Sequence, residues 1–141
     1  MKYVSKIPRR AVFLVYLKTT NGLNNLTPNE LKILSEFMWY HKRYLEADAY
    51  ALPGVSLFST DTRKKVAESV KITHNNLNNL VGTIKKKGFI KEVGRTDLEL
   101  SDKLDKFVRY YLKTNEAKVT FEFQLFDPQK PQETTTEVPN P

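Results

Sequence analysis

The segment THNNLNNLVGTIKKK, from Thr73 to Lys87, combines two kinds of side chain that suit nucleic-acid binding. Four of its residues are asparagines, and an asparagine amide can hydrogen-bond the edge of an adenine through two atoms at once. Three consecutive lysines end the segment, and lysine ammonium groups bind phosphate. The chemistry therefore indicates a polyanion as ligand.

Positive charge is concentrated around this segment. Between Arg63 and Arg95 there are nine basic and two acidic residues, a net charge of +7, which equals that of the whole chain of 141 residues. A basic domain is attracted to polyanions, either a nucleic acid or an acidic membrane face. Solvated, charged helix ends are the alternative explanation, because lysines also complement the negative end of a helix dipole.

Two amphipathic helices separated by a polar turn are predicted between residues 59 and 88. Ser59 or Thr60 can cap the first helix, and Thr73 can cap the second. Gly88 stands where a glycine commonly follows a helix. Gly82, inside the second helix, costs about 1 kcal/mol relative to alanine. The inner faces carry apolar residues at helical spacing, namely Val66, Ala67, Val70, Leu77, Leu80, Val81 and Ile84.

The region before residue 59 contains two further apolar segments. AVFLVYL, residues 11–17, is rich in β-branched and aromatic residues; it suits either a strand or one buried helical run, and the strand is favoured. In LTPNELKILSEFMWY, Thr27 and Glu30 have the spacing of a capping box, so a helix is predicted to begin there. Residues 45–58 lack a clean period and are predicted to form a loop.

After Gly88 the pattern changes to strands and then to a helix. FIKEV and LEL, separated by GRTD, predict a hairpin, and a helix is predicted to begin at Ser101. KVTFEFQLF, residues 118–126, alternates apolar and polar residues and predicts a strand. The tail, residues 127–141, is rich in Pro, Thr and Glu and is expected to be flexible unless a partner holds it.

The order helix, helix, polar turn, helix, hairpin, helix resembles a winged helix-turn-helix, the DNA-binding part of bacterial and phage regulators and of plasmid replication initiators. The residues that carry the resemblance are VAESVKITHNNLNNLVGTIKKKGFIKEV, about a third of the chain with their flanks. It implies a mainly helical α+β fold with a two-stranded wing and flanking N- and C-terminal strands. A single domain would span residues 1–126, with the helix-turn-helix at 59–88 and the wing at 89–100.

In this family the second helix of the motif enters the major groove with its N-terminal residues near the bases. Carried over, the implied base contacts are Thr73, His74, Asn75, Asn76 and Asn79. The basic residues around them become candidates for phosphate contacts. These are Arg63, Lys64, Lys65, Lys71, Lys85, Lys86, Lys87, Lys91 and Arg95. The resemblance implies double-stranded DNA as partner and a role in transcription or replication, with a homodimer as one arrangement.

Other chemistry is not indicated. The chain has no cysteine, which excludes disulfides, thiolate metal sites and a cysteine nucleophile. The two histidines, His41 and His74, have no ligand-spaced partner, so no metal site is expected. Phosphate-binding glycine loops, a nucleophile elbow and a paired-carboxylate cleft are also missing from the sequence. We therefore expect neither an enzyme nor a cofactor.

The apolar runs do not suggest a membrane protein. The longest, residues 11–17, is far too short to span a bilayer, and no small-residue cleavage site follows it. No membrane partner is expected. A cytoplasmic location, in a bacterial cell or a phage-infected host, fits the absence of cysteine.

A second function stays open at this point. Small winged-helix domains also serve in assemblies, so the chain could be a structural component of a phage virion or connector, located in the virion. Its protein contacts would then use the 118–126 strand, the tail or an aromatic surface. The aromatic residues outside the motif are Phe37, Trp39, Tyr40, Tyr44, Tyr50, Phe107, Tyr110, Tyr111, Phe121, Phe123 and Phe126.

Overall fold

The computed structural model describes residues 7–21 and 25–117. This part of the chain is mainly helical with one two-stranded antiparallel sheet, an α+β arrangement. The elements in chain order are α1 (Val12–Thr20), α2 (Pro28–Glu46), α3 (Thr60–Val70), α4 (His74–Lys86), β1 (Ile90–Val93), β2 (Asp97–Leu100) and α5 (Asp102–Thr114). Short 3-10 turns lie at Arg9–Ala11 and Ala49–Ala51.

Helix α2 is the central element and contacts each of the other four helices of the described chain. It begins with the predicted capping box, which is confirmed: the Thr27 hydroxyl accepts from Glu30 N, and the Glu30 carboxylate accepts from Thr27 N. Its apolar residues recur at helical spacing and are almost completely buried. These are Leu31, Ile33, Leu34, Phe37 and Met38.

The predicted N-terminal strand is wrong, because residues 12–20 form helix α1. Phe13 and Leu17, one helical turn apart, are buried, and α1 packs on α2. The Phe13 ring meets Trp39 and Phe107 edge to face, at 6.4 and 6.1 Å between centroids. A short apolar run is compatible with either element, and here packing on two helices outweighs the strand preference of its valines and aromatics.

Helices α3 and α4 begin at the predicted caps and are joined by residues 71–73. The side chains of Ser59 and Thr73 accept from Thr62 N and Asn76 N, respectively. In the turn, Lys71 has a left-handed backbone (φ 61°) and Ile72 N donates to Ala67 O at 3.0 Å. Both predicted N-caps are therefore confirmed.

The predicted hairpin is confirmed, and it begins after Gly88, whose φ of +92° ends α4. Ile90 pairs with Leu100 at the base, and both side chains are buried. The turn at residues 94–96 is exposed. The base of the hairpin is therefore held by the core, whereas its tip extends into solvent.

One ion pair connects the start of α2 with the end of α4. The carboxylate of Glu30, 2% exposed, accepts from Lys87 Nζ at 2.7 Å, and Lys87 also donates to Asn25 O at 2.9 Å. Burial opposes ionisation of Glu30 and is the largest single effect, but hydrogen bonds from Lys87 and Thr27 hold its pKa below the usual value. The same carboxylate thus caps one helix and anchors another.

Two predictions concern residues outside the described part of the chain. These are the strand at residues 118–126 and the tail at residues 127–141. They stay predictions.

Replacing Glu30 with alanine is expected to lower the free energy of unfolding by about 3 kcal/mol, because Lys87 keeps a half-buried charge without its partner and α2 loses its capping box. Urea unfolding followed by circular dichroism measures this. Lys65→Ala is the control, since it breaks an exposed ion pair with Asp61 one helical turn away and should cost about 0.5 kcal/mol. Equal losses in the two variants would contradict the anchoring role.

Candidate nucleic-acid interface

The outer face of α4 is the side opposite the buried residues Leu77, Val81 and Ile84. Asn75, Asn76 and Asn79 are exposed there. None of their side-chain amides has a hydrogen-bond partner within residues 7–21 and 25–117. Polar groups of both donor and acceptor type are therefore presented to solvent along one side of a rigid helix.

The fourth asparagine of this helix is used differently. Asn78 is half-buried, and its side-chain oxygen accepts from Arg63 Nη1 at 2.8 Å. Arg63 also donates from Nε to Phe58 O at 2.8 Å. Burial lowers the pKa of the Arg63 guanidinium, which nevertheless stays charged. The Arg63–Asn78 hydrogen bond links α3 to α4 and ties both to the preceding loop.

The remaining predicted base contacts lie at the start of α4. Thr73 is exposed, and its hydroxyl is occupied as the helix cap. His74 is half-buried, and its Nδ1 is buried with no hydrogen-bond partner in the described structure. Thr73 and His74 therefore have fewer side-chain atoms available for hydrogen bonds to a ligand than the three exposed asparagines have.

Four of the nine predicted phosphate contacts form no ion pair with any residue the structure describes. Lys64 lies on α3, Lys71 in the turn, Lys86 at the end of α4 and Arg95 at the hairpin tip, and all four are exposed. They lie on the motif helices, on the turn that joins them and on the hairpin that follows. They are the cations most available to an external anion.

The other predicted phosphate contacts have partners within the protein. Besides Arg63 and Lys87, which are described above, Lys65 pairs with Asp61 at 3.2 Å, Lys85 with Glu92 at 3.5 Å and Lys91 with Asp102 at 2.6 Å. Hydrogen bonds that the lysines donate to these carboxylates raise the pKa of Lys65 and of Lys91. These three pairs are at the surface, where ion pairs are weak and exchangeable.

Lys71 differs from the other residues with a left-handed backbone. In the described chain the non-glycine residues with positive φ are Asn25, Asp48, Lys71 and Asn115. Asn and Asp tolerate this region, whereas a lysine there is strained relative to glycine. The exposed Lys71 ammonium group lies on the turn between α3 and α4, and the left-handed backbone of this residue costs stability relative to glycine.

A cavity of about 410 Å³ lies beside the hairpin, lined by residues of α2, β2, α5 and the loop before α3. The His41 imidazole forms its polar wall, with Nδ1 2.7 Å from the Tyr50 hydroxyl and Nε2 2.6 Å from Asp105. Arg109 donates to both oxygens of Asp105 at 3.0 Å. Burial lowers the pKa of His41 although Asp105 acts in the opposite direction, and burial raises that of Tyr50.

Sequence reasoning missed the Arg63–Asn78 hydrogen bond and the His41 network. The partners are 15 residues apart in the first case and, for His41 and Asp105, 64 apart in the second. Neither spacing forms a motif. Only the packing of α3 on α4, and of α2 on α5, brings these side chains together.

Of the eight residues of the expected aromatic surface that the structure describes, three are buried in the core, four are partly buried against it and one is exposed. Phe37, Phe107 and Tyr111 are buried, and Tyr16 stacks on Phe107 at 3.7 Å between centroids. Tyr110 is exposed. Trp39 is half-buried on α2, with Arg10 and Lys42 about 4.5 and 4.6 Å from its ring centroid.

Within residues 7–21 and 25–117, no group of three or more His, Asp or Glu side chains could hold a metal ion. No helix in that part of the chain is long and apolar enough to cross a membrane.

Comparison with known proteins gave no match. No family model matches the chain, and no curated protein or solved structure matches it either.

The Arg63–Asn78 hydrogen bond can be tested by a double-mutant cycle. With Arg63→Ala and Asn78→Ala, we expect a coupling of about 1 kcal/mol in the free energy of unfolding, because each single change leaves a half-buried polar partner unsatisfied. A cycle with Lys64→Ala and Asn78→Ala is the control and should be additive, since Lys64 is exposed and not bonded to Asn78. Additivity in both cycles would contradict the link.

Stability should fall on mild acidification because His41 is buried with a lowered pKa. The folded state favours the neutral ring, so the contribution of His41 is complete above its unfolded pKa of about 6.5 and is lost as pH falls below that value. Urea midpoints between about pH 8 and 5 measure this effect. His41→Gln should flatten the slope between about pH 6.5 and 5, and an unchanged slope would contradict the assignment.

Proposed function

We propose that this chain binds double-stranded DNA as a winged helix-turn-helix protein and regulates transcription or replication in a bacterium, phage or plasmid. Helix α4 would lie in the major groove, and the β1–β2 hairpin would be the wing. The role is binding without catalysis, in the cytoplasm of a bacterial cell or an infected host. The order α2, α3, turn, α4, hairpin supports this proposal.

One observation carries the proposal: the amides of Asn75, Asn76 and Asn79 are exposed and unbonded on one face of α4, whereas Asn78 on the same helix is bonded within the protein. Asparagine has poor helix propensity, so three unpartnered copies on one helix face cost stability. Bidentate bonds to adenine edges in the major groove would offset that cost. The proposed preference is accordingly for sites containing adenine.

Positions of the free cations suit this geometry. They lie on α3 (Lys64), in the turn (Lys71), at the end of α4 (Lys86) and at the hairpin tip (Arg95). Such residues would contact phosphates on both sides of the groove and fix the register of the helix without reading sequence. Lys71 suits this role because its exposed ammonium group lies on the turn between α3 and α4, where its left-handed backbone also ends α3.

The assembly alternative has less support. It rested on the aromatic residues, the 118–126 strand and the tail, and the last two lie outside the described residues. Among the described aromatic residues of that set Tyr110 is exposed, and the others are buried or packed against the core. The other large exposed apolar side chains of the described chain, Ile7, Leu52 and Val93, lie on separate segments, so we propose DNA as the partner.

Base reading and phosphate binding can be separated by fluorescence anisotropy with AT-rich and random duplexes at about 50–200 mM salt. Asn76→Ala should lower the preference for the favoured duplex about tenfold and leave the salt dependence unchanged. Lys86→Ala should weaken binding to all duplexes alike and reduce the salt slope by about one.

Asn29→Ala, an exposed asparagine on α2, is the matched control and should bind like wild type. Identical behaviour of the Asn76 and Lys86 variants would refute the assignment of Asn76 to a base. Absence of binding at the lowest salt, where non-specific attraction is strongest, would refute DNA binding itself.

A further inference from the structure

Gly82 lies in the interior of α4, a position where glycine is unfavourable. Two intramolecular reasons for a helical glycine do not apply here. Its φ is not positive, so the backbone does not require glycine. A β-carbon at Gly82 would have no atom within 4 Å beyond its chain neighbours and the nearby helix backbone. Nothing in the described structure therefore approaches this Cα closely enough to exclude a side chain.

The position of Gly82 on the helix indicates what could approach it. At 3.6 residues per turn, Asn75, Asn79, Gly82 and Lys86 follow one another along one side of α4. The other three are the exposed asparagines and the free lysine of the outer face. Gly82 thus interrupts a row of polar side chains, and it brings the helix backbone to the surface in the middle of that row.

We propose that Gly82 is the point of closest approach between α4 and DNA, and that the missing side chain lets the helix backbone sit against the nucleic acid. This inference rests on the proposed function and adds a specificity-determining position to it. The asparagines have short side chains, so their amides reach base edges only if the helix axis lies deep in the groove. A side chain at residue 82 would hold the helix away from the groove floor and lengthen all of these hydrogen bonds together.

The test compares Gly82→Ala and Gly82→Leu in the full chain, with the AT-rich and random duplexes as probes. Gly82→Ala should raise Tm by about 2–4 °C, because alanine favours the helix and its β-carbon meets open space. It should nevertheless bind the preferred duplex about tenfold more weakly, which is the order of cost for forcing extra atoms into a close contact. Gly82→Leu should weaken binding further while the fold remains intact.

Asn29→Ala and Asn29→Leu on α2 provide the same side chains at a position away from α4 and should not change DNA affinity. If the wild type binds DNA and both Gly82 variants bind it with unchanged affinity, this inference is overturned and the proposed function stands. A loss of Tm in Gly82→Ala would also overturn it, since the glycine would then have an intramolecular role. No binding by wild type at low salt would overturn both.

Discussion

Burial of α2 among the other helices is the constraint on which this structure depends. An apolar face formed by residues such as Leu34, Phe37 and Met38 must be covered, and α1, α3, α4 and α5 all contribute to covering it. Because α4 turns Leu77, Val81 and Ile84 towards this core, Asn75, Asn76 and Asn79 necessarily face outward. The Glu30–Lys87 pair then fixes the end of α4 against the start of α2. The exposed face is thus a direct consequence of the core.

The interface residues fall into two groups that composition alone does not separate. Arg63, Lys87 and Asn78 satisfy one another or other buried groups, and they hold the helices in place. The exposed polar side chains on the same elements that have no partner within the described structure are free to contact a ligand. A polar side chain that is already hydrogen-bonded and half-buried would have to break that bond before it could bind DNA. Such a side chain is therefore better suited to holding the helices in place than to contacting a ligand.

Local signals in the sequence predicted the local structure well. The Thr27–Glu30 spacing, the caps at Ser59 and Thr73, and Gly88 all act within one helical turn, and each stands where expected. Residues 11–17 were mispredicted because a short apolar run carries no period that separates strand from helix.

The candidate site was less predictable, because the sequence does not show whether a basic side chain has a partner within the folded protein. Lys86 and Lys87 are neighbours in sequence, yet only Lys87 reaches the Glu30 carboxylate, 57 residues away. Whether a charge is free depends on long-range packing. Sequence could therefore indicate the basic region but not which of its cations remain available.

Trp39 has a practical consequence, since it is the only tryptophan of the chain. Its described ring contacts are with Phe13, Arg10 and Lys42, which belong to α1, the turn before it and α2. Selective excitation of indole fluorescence therefore reports on the junction of α1 and α2, and hydration of the ring on unfolding would move the emission to longer wavelength. A ligand bound at the outer face of α4 would alter this emission only if the disturbance were transmitted through α2, so the protein carries its own optical probe of long-range coupling.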